Sequence, residues 1–165
     1  MPQSGNRHTI TALVQDEAGT LNRLVSLFRR RGFSIGSLTV GKCEREGYSR
    51  VTIVVHGDDR VLEQSILQLR KLVEVVEVSD VKRHEVVHRE LAIIRVEASP
   101  EKRREIIEIT NVAGGKVAFM DHDSLTLELT NTPLHINRTI SLLRSYGRRE
   151  VARSGLVVVK VAEKE

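Results

Sequence analysis

The sequence predicts an α+β fold made of two consecutive βαββαβ units. Three observations lead there. Short runs such as 8–14 and 48–56 alternate apolar residues, whereas 21–28 and 62–73 repeat them every three to four residues. Glycines at 32, 57, 114, 115 and 147 separate the runs where a helix or strand has to stop. The order strand, helix, strand, strand, helix, strand is completed in about 75 residues and then begins again, the ferredoxin-like pattern.

Each element has its own reason. Residues 1–7 form a polar tail. Strand one covers about 8–15 and stops at Gln15-Asp16-Glu17-Ala18-Gly19. Helix one, about 19–31, places Leu21, Leu24, Val25 and Phe28 on one face. Its last turn carries Arg29, Arg30 and Arg31, and Gly32 follows, which is the charge and stop chemistry of a helix C-terminus. Strand two, about 34–43, follows at once and is rich in β-formers, so it reads as a sheet edge open to another chain. Glu44-Arg45-Glu46-Gly47 is a hairpin loop leading to strand three, 48–56. Gly57-Asp58-Asp59 caps helix two, whose apolar face is Leu62, Ile66, Leu69 and Val73, with Val61 and Leu72 flanking. Strand four, 75–81, closes the unit. Helices then cover one face of the sheet, and the other face needs a partner.

The second unit repeats the order. Strand 91–98 leads to Ser99-Pro100-Glu101, a cap followed by proline at the first helical position. The helix to about residue 113 buries Ile106, Ile109 and Val112 or Ala113, and Gly114-Gly115 stops it. Strands 116–120 and 124–129 flank Asp121-His122-Asp123. Thr132-Pro133 starts a helix with Ile136, Ile140 and Leu143 inward, and a single strand over 150–161 ends the chain. The expected domains are 1–82 and 83–165, joined by a short, semi-ordered segment over 82–88.

Composition bounds the function. Forty per cent apolar and 29% charged residues describe a globular chain, and 3% aromatics without Trp mean cores of Val, Ile and Leu. The formal charge of +4 is mild and its basic residues are interleaved with acids, so nucleic acid is not an expected partner. The basic cluster at Arg29 to Arg31 reads as a solvated helix end or a partner surface. One cysteine, Cys43, excludes an internal disulfide and suits a reducing compartment. No apolar run approaches membrane-spanning length and no signal peptide is recognisable, so a cytoplasmic protein without a membrane partner is expected.

Few residues carry reactive chemistry. His84 and His88 share i, i+4 spacing, but no Cys or carboxylate joins them as metal ligands. Asp121-His122-Asp123 offers cation ligands, but a plain polar hairpin turn explains it as well and is the expected reading. Cys43 sits at a strand end with no activating base and reads as packing. Gly114-Gly115 follows a helix instead of preceding one, so it is a stop and not a phosphate loop. No catalytic residue and no metal site is expected. The turn 16–19 has two readings. In one, Asp16 or Glu17 satisfies the orphan N–H groups of helix one. In the other, N–H groups near Gly19, Thr20 and Leu21 hold the carboxylate of an amino acid, Asp16 meets its ammonium, and Ser34 completes the rim.

The stretches D-E-A-G-T-L-N-R-L (16–24), R-G-F-S-I-G-S-L-T-V (31–40) and Y-S-R-V-T-I-V-V (48–55) resemble the ACT domain of the small regulatory subunits of acetolactate synthase, also called acetohydroxyacid synthase. V-L-E-Q-S-I-L-Q-L-R-K-L-V-E-V (61–75), H-R-E-L-A-I-I-R-V (88–96) and V-A-R-S-G-L-V-V (151–158) are similar to the same family in the same order. The resemblance covers nearly the whole chain.

That resemblance implies a non-catalytic subunit in branched-chain amino-acid biosynthesis. Its partner would be a large catalytic subunit using thiamine diphosphate, FAD and Mg²⁺; this chain would hold no cofactor. It further implies activation of that subunit, homodimerisation through ACT domains, and feedback inhibition by valine or another branched-chain amino acid. The implied effector residues are Asp16, Gly19, Thr20, Leu21, Ser34 and Ile35. Valine-sensitive members carry asparagine where this chain has Asp16 and Ser34. The rival expectation is a free-standing ACT-type sensor acting on another enzyme or on transcription, against which stands the lack of a helix-turn-helix-like segment.

Overall fold

The computed structural model describes residues 6–81 and 86–161. It contains β1 (Arg7–Gln15), α1 (Thr20–Arg31), β2 (Ser34–Lys42), β3 (Tyr48–His56), α2 (Asp59–Leu69) and β4 (Val75–Asp80). Then come β5 (Val86–Glu97), a 3₁₀ turn (Pro100–Lys102), α3 (Arg103–Val112), β6 (Lys116–Met120) and β7 (Ser124–Asn131). The chain closes with α4 (Pro133–Leu142), a second 3₁₀ turn (Leu143–Ser145), β8 (Arg149–Arg153) and β9 (Val157–Lys160). The α+β class and the doubled βαββαβ order are both present. The chain divides into two compact units, one running through Val87 and resuming at Leu156, the other His88–Gly155.

In the first unit the sheet order is β2-β3-β1-β4, all antiparallel, with β2 and β4 at the edges. The pleat puts Ile10, Ala12, Val14, Val51, Ile53, Val55 and Val78 in one core with Leu24, Leu27 and Phe28 of α1 and Leu69 of α2. Helix ends follow the expected chemistry. Gly32 takes φ 67° after the three arginines, and Asp58 Oδ1 accepts the Val61 N–H at 3.0 Å.

The second unit has the same order, β6-β7-β5-β8. Its registers Ala92–Leu129, Ile94–Leu127 and Val96–Leu125 build a separate core with Ile106, Ile136 and Leu143. Gly147 is required by space, because a Cβ there would stand 2.0 Å from the Glu97 carbonyl oxygen.

Several expectations are corrected. Helix one buries Thr20, Leu24, Leu27 and Phe28, while Leu21 and Val25 are 42% and 41% exposed. The helix is rotated so that Arg31 reaches α2, donating from Nη2 to Gln68 Oε1 at 3.1 Å. Val73 lies beyond the end of α2 and is exposed, and Val112 is exposed while Ala113 packs on the core. β5 starts at Val86, five residues before the expected strand, and the rest of the expected joining segment, 82–85, lies outside the described residues.

The largest correction is at the end. The strand expected over 150–161 is two strands, broken where Gly155 takes φ 80°. The second of these pairs with β5 and is grouped with the first unit. There Leu156 and Val158 pack with Val54, Val81 and Val86. Part of the sheet face expected to await another chain is thus covered by this one.

Candidate functional site

The β1–α1 turn is built by backbone bonds. Gln15 N–H donates to the Glu74 carbonyl at 2.8 Å and Asp16 N–H to the Gly47 carbonyl at 2.9 Å, so the turn is fastened to both β4 and the β2–β3 hairpin. Arg23, one turn into α1, forms an ion pair with the buried Glu74 carboxylate. Gly19 is the N-cap with φ 92°, a conformation that costs an L side chain about 1–2 kcal/mol. A Cβ there would meet nothing within 4 Å, so the turn is open on that side.

No side chain caps α1, and no acidic residue stands in its first turn. Neither the Asp16 nor the Glu17 side chain caps the helix, while the Glu17 carbonyl accepts the Thr20 N–H at 3.2 Å. The first N–H groups of a helix have no intrahelical acceptor and carry the positive end of its dipole. Beside them Thr20 is buried, and its Oγ1 has no hydrogen-bond partner.

Asp16, Gly19, Thr20 and Leu21 thus stand together. Ser34 and Ile35 do not join them within one chain. β1 runs from Arg7, paired with His56, to Gln15, paired with Tyr48; Ser34 pairs with His56. Asp16 and Ser34 therefore lie at opposite ends of a nine-residue strand, a span of about 26 Å. Ser34 is exposed at the free edge, and Ile35, half-buried, packs against the core.

Sequence reasoning missed the fastening of the turn by Glu74 and Gly47 and the cross-strand neighbour of Ser34, His56. Neither partner stands at a motif spacing from the residue it serves; sheet register is what joins them.

The other candidates resolve differently. Asp121 Oδ1 accepts from Asp123 N–H (3.0 Å), Ser124 N–H (2.7 Å) and Ser124 Oγ (3.0 Å). Those bonds, the one from Asp123 first, hold its carboxyl below the usual range. The carboxylate therefore serves a polar hairpin turn. Arg103 donates to the His122 carbonyl, and the His135 ring contacts Thr132 Oγ1 at 3.1 Å. His84 lies outside the described residues, and among these no three His, Cys, Asp or Glu side chains converge as metal ligands. Cys43 Sγ lies 3.5 Å from the Tyr48 carbonyl oxygen, as a weak donor. It also lines a cavity of about 470 Å³ with Thr39, Arg50, Thr52 and Val158, apart from the Gly19 turn. Among the described residues no helix is long and apolar enough to cross a membrane.

Comparison with known proteins agrees along the chain. A family model described as the AHAS small subunit-like ACT domain matches residues 10–77, and one described as the small subunit of acetolactate synthase matches 89–161. A probable acetolactate synthase small subunit from Archaeoglobus fulgidus is 48% identical, the match covering 93% of this chain and 96% of that one. The acetolactate synthase small subunit of Mycolicibacterium smegmatis is 45% identical, over 92% and 89%. A crystal structure of the small subunit from Thermotoga maritima superposes with a TM-score of 0.87 at 34% identity, over 96% of this chain and 99% of that one. With its ACT-type first unit and matches along nearly its whole length, the chain belongs to the acetolactate synthase small-subunit family.

Proposed function

We propose that this chain is the non-catalytic regulatory subunit of an acetolactate synthase in branched-chain amino-acid biosynthesis. It activates a large catalytic subunit, which carries the thiamine diphosphate, FAD and Mg²⁺, and it makes that enzyme sensitive to valine or another branched-chain amino acid. The names of its relatives support a catalytic partner. The observation that carries the effector site is the pair of half-sites at opposite ends of a sheet with a free edge: the uncapped Gly19 turn and the exposed Ser34.

One arrangement would unite the halves. If two β2 edges met antiparallel about a two-fold axis, the Ser34 end of each would face the end of its partner where β1 finishes and α1 begins. Unpaired edge groups favour such a contact, and the exposed Leu21 and Val25 add an apolar stripe on α1. The effector's carboxylate would then lie on the α1 N–H groups of one chain, with Asp16 near its ammonium and Ser34 and Ile35 supplied by the other chain. A ligand held by both chains acts through its different affinity for two dimer geometries.

Recombining the purified chain with its catalytic partner tests the first half of this reading. The rate rises on stoichiometric addition and falls again with valine; an unchanged rate rejects it. Light scattering tests the second half, where a monomer at micromolar concentration, with and without valine, rejects the shared site.

A further inference from the structure

His56 is the cross-strand partner of Ser34, one position along the rim on β3. Cross-strand neighbours have Cβ atoms about 5 Å apart, so whatever approaches Ser34 also approaches His56. The ring reaches outward. A Cβ built on Gly36 would meet His56 Nε2 at 2.3 Å and Cδ2 at 3.0 Å, so the imidazole lies over the β2 backbone at the sheet edge. It can do so because residue 36 has no side chain. β2 is also irregular here: its register with β3 shifts between Ile35 and Ser37, a bulge in an edge strand of the kind that re-aims neighbouring side chains. Arg7 is the β1 neighbour of His56 and is exposed, so the row Arg7, His56, Ser34 leads to the edge with basic and donor groups.

At the other end of the sheet Asp16 is exposed, and among the described residues its carboxylate neither caps α1 nor lies in an ion pair. It is an acceptor that adds a negative charge beside a ligand that already carries one. A donor from the second chain would offset it.

We propose that His56 of one chain donates a hydrogen bond to Asp16 of the second, so that the pair forms one wall of the shared amino-acid site and turns the Asp16 carboxylate toward the ligand's ammonium. This rests on the two-chain site proposed above. His56 is here a positioning residue, acting through Asp16, and Gly36 is the gap that admits its ring.

A double-mutant cycle on valine affinity, read by calorimetry on dimers that still melt cooperatively, tests the pairing. His56→Ala removes the donor and weakens binding about tenfold, the worth of one charge-assisted hydrogen bond. In an Asp16→Ala background the same change costs less than twofold, because its partner carboxylate has gone. Gly36→Ala is the second probe. Its φ lies outside the left-handed region, so the added methyl acts by displacing the ring. It weakens valine several-fold in the wild type and has no effect in His56→Ala. Additive effects of His56→Ala and Asp16→Ala, or equal affinity in His56→Ala and wild type, overturn the pair while leaving the valine site standing. A wild-type dimer that binds no valine at all overturns the effector reading and this one with it.

Discussion

The two halves of this chain share a topology, β2-β3-β1-β4 against β6-β7-β5-β8, yet differ at the corresponding first turn. In the first half, Gly19 opens α1 with a positive φ, no side-chain cap and no acid in the first turn. In the second half the chain enters through Ser99 and Pro100, and Glu101 stands in the first turn. The Ser99 hydroxyl bonds the Glu101 carboxylate and holds its carboxyl below the usual range. Proline removes one N–H and glutamate brings the anion with it. One turn is left open to a carboxylate and the other supplies its own. One position in the doubled fold thus carries two different turn chemistries.

Four experiments probe this contrast. Arg153→Met attacks the second half where it is structural. Arg153 grips Glu90, 8% exposed, through Nε (2.9 Å) and Nη2 (2.6 Å). Removing one partner of such a pair costs about 3 kcal/mol, or roughly 6–12 °C in melting temperature for a chain of this size. Scanning calorimetry is expected to show that loss, with valine binding unchanged below the transition.

Gly19→Asp makes the first turn acidic, like the second. At about 5 Å and an effective dielectric near 20, a carboxylate opposes the ligand's own by roughly 3 kcal/mol, about a hundredfold in affinity. The left-handed backbone adds about 1 kcal/mol of instability. Titration with valine at matched protein concentration is the check, and unchanged binding would place the site elsewhere.

Ser34→Asn changes the other half of the proposed site. It brings an amide donor, and a net hydrogen bond contributes about 1 kcal/mol, so the variant is expected to bind valine roughly fivefold tighter. Equal dissociation constants would separate Ser34 from the ligand.

The smallest effect concerns the second helices. Asp58 caps α2, whereas Thr132 makes no such bond to α4 and contacts His135 instead. Asp58→Ala is expected to cost about 1 kcal/mol and Thr132→Ala distinctly less, as read from urea midpoints.

Much of this was legible in the sequence. Alternation located the strands, and Gly32 and Asp58 stood where a stop and a cap belong. The helix-one face was misread because Leu21 and Val25 fit the same 3.6-residue period as the buried Thr20, Leu24, Leu27 and Phe28. Periodicity fixes a stripe only to within a neighbouring row, and contact with α2 chose between them. The terminal run was read as one strand because β-propensity is continuous from Glu150 to Val161; Gly155 alone marked the break.

By itself, the sequence determined what depends on neighbours within about one helical turn or one hairpin: element type, caps, stops and the open character of the Gly19 turn. Tertiary structure alone decided which residues meet across the sheet. Register sent Ser34 to the opposite end from Asp16, set His56 beside Ser34, tied Glu74 to the turn, and returned Leu156 and Val158 to Val54. Those pairings are long-range, and a strand's local pattern states only which face is apolar. Which neighbour it takes, in which register, is settled when the whole sheet closes around its core.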